Sequence, residues 1–163
     1  MLRPALFACL SAALLGQGPA QGTFKLVSGS DLTKGIDQVT EDLPMLERVY
    51  AQHRLASVNP LYKTITLTNA ACGLELKFDE RTPMCLKEGQ DISWTREDGE
   101  LFSVGLQSKD PRHFTQVYKG KEGQRTNTYY VSPGGQILII DVSVKSHRLK
   151  KSLGYHLVYE REK

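Results

Sequence analysis

From residue 61 to the C-terminus, apolar and polar residues alternate with a period of two, and this rhythm constrains the fold more than any other feature. A β-strand turns successive side chains to opposite faces, so alternation marks strands with one buried face. In "LYKTITLT" it groups Leu61, Ile65 and Leu67 on one face and Tyr62, Thr64, Thr66 and Thr68 on the other. "LELKF" sets Leu74, Leu76 and Phe78 inward, with Glu75 and Lys77 outward. "DISWTR" puts Ile92 with Trp94, and "LFSVGLQ" puts Phe102 with Val104 and Leu106. "LGYHLVYERE" aligns Tyr155, Leu157 and Tyr159 and leaves His156 facing solvent. "MCLKEGQ" holds a short strand, and "HFTQVYK", "QRTNTYYV" and "QILIIDVSV" supply three more.

The segments between them are turn-like: "ACG", "DERTP", "EDGE", "KDPR", "GKEG" and "SPGG". Asp98-Gly99 is a strong hairpin signal because both residues tolerate positive φ. Nine strands after residue 60, with "TFKLVS" before it, make an antiparallel meander. Left open, so long a meander exposes two edges that template aggregation; closing it on itself removes them. The expected fold is mainly β, an up-and-down antiparallel barrel of eight to ten strands, a size that can enclose a small ligand.

Residues 31–58 break the period of two. Ser30 or Asp31 can cap a helix. Leu32, Ile36, Val39, Leu43, Leu46 and Tyr50 then recur at steps of three and four, an amphipathic stripe, with Lys34, Asp37, Gln38, Glu47 and Arg48 on the outward face. Pro44 divides the stripe into two short helices, and Asn59-Pro60 ends the second. The helical segment therefore falls between strands one and two, placed to cover a barrel mouth or a sheet face.

Ahead of the first strand stands a short basic start, Arg3, then the apolar run "PALFACLSAALLG" and small residues at Gly18 and Ala20. This is the pattern of a secretory signal peptide spanning residues 1–20, leaving 21–163 as one domain of an exported, periplasmic or secreted protein. Its removal takes away Arg3 and no acid, so the formal charge falls from +3 to +2. Such a balance argues against a nucleic-acid surface, and after the leader no further apolar run is long enough to span a membrane. Export also sets the redox state. Cys72 and Cys85 remain in the mature chain and are expected to form a disulfide, with buried free thiols as the alternative.

No catalytic motif is present: no nucleophile elbow, phosphate loop or dinucleotide fingerprint, and no pairing of His53, His113, His147 or His156 at metal-ligand spacing. The expectation is a protein that is not an enzyme and needs no metal or cofactor. Its partner is then a small apolar or amphipathic molecule, held without covalent chemistry. Candidate interior residues are Tyr62, Leu74, Leu76, Trp94, Phe102, Tyr118, Tyr130 and Tyr159, since tyrosine offers an apolar body with a hydroxyl. Arg54 and Arg148 are candidates for an anionic group at the mouth, or for fixing the helices to the barrel. The alternative is a protein-interaction or structural barrel with a filled interior, using an outer face or the basic loop "KSHRLKK". The oligomeric state is left open.

The order of "GTFKLV", two short helices, nine strands and a closing "YHLVYERE" resembles the calycin group, the lipocalins and fatty-acid-binding proteins. The resemblance implies a lipocalin-like barrel over residues 21–163. Fatty-acid-binding proteins begin with a Gly-Thr-aromatic-Lys-Leu strand and end in Arg-x-Tyr. Here the aromatic is Phe24 rather than tryptophan, and the closing triplet is Leu157-Val158-Tyr159, with the tyrosine but without the arginine. The family's second arginine falls near Thr128. Both family carboxylate anchors are therefore expected to be missing. "ERVYAQHRLASVNP" and the C-terminal segment from "VSPGG", with the Arg54-Leu55 and Arg148-Leu149 pairs, are also similar to a group of small exported bacterial lipocalin-like proteins.

Overall fold

The computed structural model describes residues 21–163; the expected leader, 1–20, lies outside the described residues. The chain runs β1 (Gly22–Gly29), α1 (Leu32–Thr40), α2 (Met45–Val58), β2 (Thr64–Ala70), β3 (Gly73–Phe78), β4 (Met84–Leu86), β5 (Ile92–Thr95), β6 (Leu101–Asp110), β7 (His113–Lys119), β8 (Gly123–Val131), β9 (Ile137–Ser146) and β10 (Leu153–Arg161). All ten strands lie in one antiparallel sheet, ordered β4-β3-β2-β1-β10-β9-β8-β7-β6-β5. First and last strands meet at its centre, where Leu26 stands opposite Tyr159, so the meander curls into a nearly closed barrel. The ladder does not close between β4 and β5; isolated bridges, Lys87 with Gln90 and Glu88 with Leu106, and a bond from the Ser108 amide to the Glu88 carboxylate at 3.1 Å lie at that seam.

Alternation decides which side chains fill the barrel. Phe24, Ile65, Leu67, Leu74, Leu76, Val104, Phe114, Tyr129, Leu138, Leu157 and Tyr159 are fully or almost fully buried. Phe114 stacks on Tyr129 with ring centroids 4.7 Å apart. Gly73, at φ +132°, lets the β2–β3 turn pass within 2.2 Å of the Leu86 carbonyl, measured from where a Cβ would stand; any side chain would collide there.

The short edge strand β4 has one sheet neighbour, β3, and is tied down a second time by chemistry. Cys85 on β4 is disulfide-bonded to Cys72 in the β2–β3 turn, with Cα atoms 6.2 Å apart. The bond lies on the outer surface at the seam, where backbone pairing is weakest.

The two helices are unequal. The Asp31 carboxylate caps α1 by accepting from the Lys34 amide at 3.0 Å, and α1 buries Ile36 against the core. Arg48 donates to the Glu41 and Leu43 carbonyls, satisfying the chain end that follows α1. The expected apolar stripe does not survive past Pro44. Leu46 is 85% exposed and Tyr50 66%, beside exposed Met45 and Val49. The inward residue of α2 is Leu55, its one buried side chain. The reason is one of phase: the face that α2 turns toward the barrel carries Ala51, Arg54, Leu55 and Val58, so Met45, Leu46 and Val49 fall on the side away from it. Leu61, expected inward, is likewise exposed because it precedes β2.

Candidate functional site

At the helical end the barrel is hollow. Four turns gather there, β3–β4 (79–83), β5–β6 (96–100), β7–β8 (120–122) and β9–β10 (147–152), under the cover of α2. Two hollows result. The first, about 480 Å³, lies between the inner side of α2 (Ala51, Arg54, Val58) and Phe102, Arg125 and Val144. The second, about 430 Å³, runs beside the open seam between Tyr62, Phe78, Met84, Trp94, Tyr118 and Asn127. Both exceed the roughly 300 Å³ at which a small-molecule site begins.

Aromatic residues wall the second hollow. Trp94, Phe102 and Tyr118 form a triangle with centroid distances of 5.8, 5.5 and 6.3 Å. Tyr62 precedes β2, so strand parity does not govern it; its ring turns onto Phe78 at 4.8 Å. Arg81 lies over the same Tyr62 ring and pairs with Glu97 across the mouth at 3.1 Å.

The β5–β6 hairpin stands between the hollows like a pillar. Gly99, at φ +86°, makes its turn, as the Asp98-Gly99 signal predicted. Arg96 chelates Asp98 through two bonds, 2.9 and 2.8 Å, and also pairs with Glu100. From α2, Arg54 reaches Asp98 at 2.7 Å and Glu100 at 3.4 Å. The hydrogen bond from Arg96 holds the Asp98 carboxyl well below the usual carboxylate range. Arg96 in turn covers the Phe102 ring at 5.0 Å.

Arg125, on the inward face of β8, borders both hollows. Its Nε donates to Asn127 Oδ1 at 2.9 Å and its Nη1 to Asn59 Oδ1 at 3.3 Å. Among the described residues no carboxylate pairs with it. Below it lies a polar floor. Tyr129 donates its hydroxyl to Gln116 Oε1 at 2.7 Å, Asn127 Nδ2 donates to the same oxygen at 3.2 Å, and Gln116 Nε2 faces Met84 Sδ at 3.4 Å. Burial pushes the phenols of Tyr118, Tyr129, Tyr155 and Tyr159 upward, so all four are neutral across the physiological range. Tyr159 donates to the Tyr62 carbonyl at 3.1 Å. The buried Tyr155 hydroxyl has no partner among the described residues.

Of the candidate residues, the structure brings Tyr62, Trp94, Phe102 and Tyr118 together around the second hollow. Leu74, Leu76 and Tyr159 are inside, but in the filled part of the barrel. Tyr130 is corrected: it has the opposite parity to Tyr129, is 41% exposed, and sets its ring edge-on to His113 on the outside. Arg54 and Arg148 border the first hollow, but their charges are spent on protein acids. Arg54 holds the helix to the hairpin, and Arg148 pairs with Glu122 at 3.1 Å. The family comparison gave both carboxylate anchors as missing, at Leu157 and near Thr128; the residue that the sequence reading did not single out is Arg125, an inward arginine three positions before Thr128. Its signal was there: in "QRTNTYYV", Arg125 has the parity of Asn127, Tyr129 and Val131.

Among the described residues no cluster of three or more His, Cys, Asp and Glu is placed to hold a metal ion. No described helix is long and apolar enough to cross a membrane.

No family model and no curated protein matches the chain. Solved structures do. A fatty-acid-binding protein of Schistosoma mansoni in complex with arachidonic acid is similar at TM-score 0.57 and 11% identity, covering 91% of this chain and 99% of that one. Fatty-acid-binding protein 1 of Echinococcus granulosus is similar at 0.56 and 14%, covering 87% and 96%. Secretory abundant heat soluble protein 4 of Ramazzottius varieornatus is similar at 0.58 and 12%, covering 89% and 96%. At these identities the likeness establishes a shared barrel fold.

Proposed function

We propose that this chain is an exported binding protein for an amphipathic molecule with an acidic head and an apolar body, held without covalent chemistry under the α2 lid. The observation that carries the reading is Arg125, a partly buried guanidinium on the inward face of β8, bordering two hollows and, among the described residues, bonded only to amide oxygens. Taking a charge out of water is costly unless an opposite charge meets it. Asn59 and Asn127 orient the group without neutralising it, whereas Arg54, Arg96 and Arg148 each have a protein acid. An anion reaching Arg125 gains a charge-assisted bond of about 1.5–3 kcal/mol. The aromatic walls supply the apolar burial. The Schistosoma protein of the same fold was solved with a fatty acid, which supports an acid of that general kind. The export part rests on the leader pattern, the resemblance to exported bacterial proteins and the disulfide.

The test compares hexadecanoic acid with hexadecanol by displacement of a fluorescent probe, using the parent and Arg125→Met. The parent should prefer the acid, and the variant should lose about tenfold or more for the acid while the alcohol changes little. Equal losses for both, or no binding of either, overturns the reading. For export, the mass of protein recovered from its native compartment should correspond to cleavage near Ala20; an uncleaved chain in the cytosol refutes it.

A further inference from the structure

We infer that the ligand is forked: one acidic group carrying two apolar arms, one arm for each hollow. The inference rests on the amphiphile-binding reading above and narrows it to a ligand class. The two hollows have similar volumes, about 480 and 430 Å³. They share Val58, Arg96, Phe102 and Arg125. Two of these are cations, and Arg96 is already committed to Asp98 and Glu100. The cation left for a ligand therefore stands where the two hollows meet.

The pillar explains why the arms must part. Phe102, covered by Arg96, forms the dividing wall, and Arg54 ties the hairpin tip to α2 above it. One mouth is left between α2 and residues Glu122–Gln124 and Ser146–Leu149. The other is left between Ser57 and Pro60 on one side and Glu80–Thr82 and Thr95–Glu97 on the other. A straight chain with its head on Arg125 lies in one hollow and leaves the other without apolar contents. An acid branched next to its carboxyl sends an arm down each side. Every methylene moved from water into an apolar lobe tightens binding by up to about fourfold, so even a short second arm is felt.

Two isomeric acids of equal carbon count and charge test this, hexadecanoic acid and α-hexyldecanoic acid. Their affinities for the full mature chain are measured by isothermal titration. The forked isomer should bind at least about tenfold tighter, at one per protein. Two mouth variants then assign the arms: Ala51→Trp fills the first hollow from α2, and Thr82→Trp fills the second from an exposed turn. Each should cost the forked acid about tenfold, while the straight acid is unaffected by at least one of them. Equal affinity of the isomers overturns the fork, as does binding of two straight acids at once, or a forked acid sensitive to one tryptophan only. In those outcomes acid binding through Arg125 still stands. Failure of both isomers to bind removes the fork together with the reading beneath it.

Discussion

Replacing both Cys72 and Cys85 by serine should lower the stability of the barrel by about 3 kcal/mol. The bond joins residues 13 apart. In the chain-entropy relation, a loop of about fourteen residues removes roughly 10 cal/mol/K from the unfolded ensemble, or about 3 kcal/mol at room temperature. Near this domain size each kcal/mol moves the melting temperature by about 2–4 °C, so a fall of roughly 6–12 °C is expected. The location adds a second, local effect. β4 has three residues and one sheet neighbour, so without the disulfide its anchor is the ladder to β3 and the side chains of Met84 and Leu86. Amide exchange in Met84–Leu86 should therefore accelerate more than in β9 or β10, which are paired on both sides. Thermal unfolding by circular dichroism and exchange read by mass spectrometry measure the two effects. A double variant melting within about 2 °C of the parent, with no selective loosening of β4, would refute the reasoning.

Three further outcomes are expected. Tyr155→Phe removes a buried hydroxyl without a partner and should leave stability unchanged or raise it by up to about 1 kcal/mol, whereas Tyr159→Phe breaks the bond to the Tyr62 carbonyl and should cost about 1 kcal/mol; urea unfolding separates them. Arg54→Ala removes exposed ion pairs and should cost under about 1 kcal/mol, yet amide exchange in α2 should rise, because that side chain is what ties the helix to the hairpin. Asp98 has its carboxyl held below its unfolded value, so its contribution is complete above about pH 4 and is lost as the solution is acidified through the lowered folded value; Trp94 fluorescence should stay constant from neutral pH down to about pH 4 and change only below it, and a change centred near pH 6 would contradict the assignment.

The fold was legible because a period of two cannot be mistaken when it is repeated nine times between turn signals. Strand parity correctly set Leu74, Leu76, Phe102, Val104, Leu157 and Tyr159 inward and His156 outward. Parity failed where strands end: Leu61 and Tyr62 precede β2, so neither follows its alternation. The helical stripe failed for a different reason. Apolar spacing in α2 is real, but the helix after Pro44 is set so that Ala51, Arg54, Leu55 and Val58 face the barrel and Leu46 and Val49 face away from it. That setting is fixed by how the helix meets ten strands curling together, which no local window of sequence contains. The same holds for the open seam, since β4 and β5 are neighbours in sequence and yet end the sheet on opposite sides.

The site was half legible for a related reason. Alternation separates inside from outside, but it does not say which inward positions touch other side chains and which face a hollow. Leu76 and Trp94 look alike by pattern; one closes the filled part of the barrel and the other walls the cavity. Charge was harder still. Arg54 and Arg148 drew notice because they sit in basic or helical segments, where protein acids were also near enough to take them. Arg125 drew none because the first five residues of its strand, "QRTNT", are all polar and read as solvated. Its meaning depends on its inward, partly buried position, on Asn59 arriving from the end of α2, and on the absence of a carboxylate opposite it among the described residues. An internal counter-charge puts this to the test. Placing an acid opposite, as in Val144→Glu on the neighbouring strand, where residue 144 is paired directly with Arg125, should satisfy the guanidinium internally. Acid binding should then fall about tenfold or more while the fold is kept. Undiminished acid binding in a folded Val144→Glu variant would show that Arg125 is not where the acid is held.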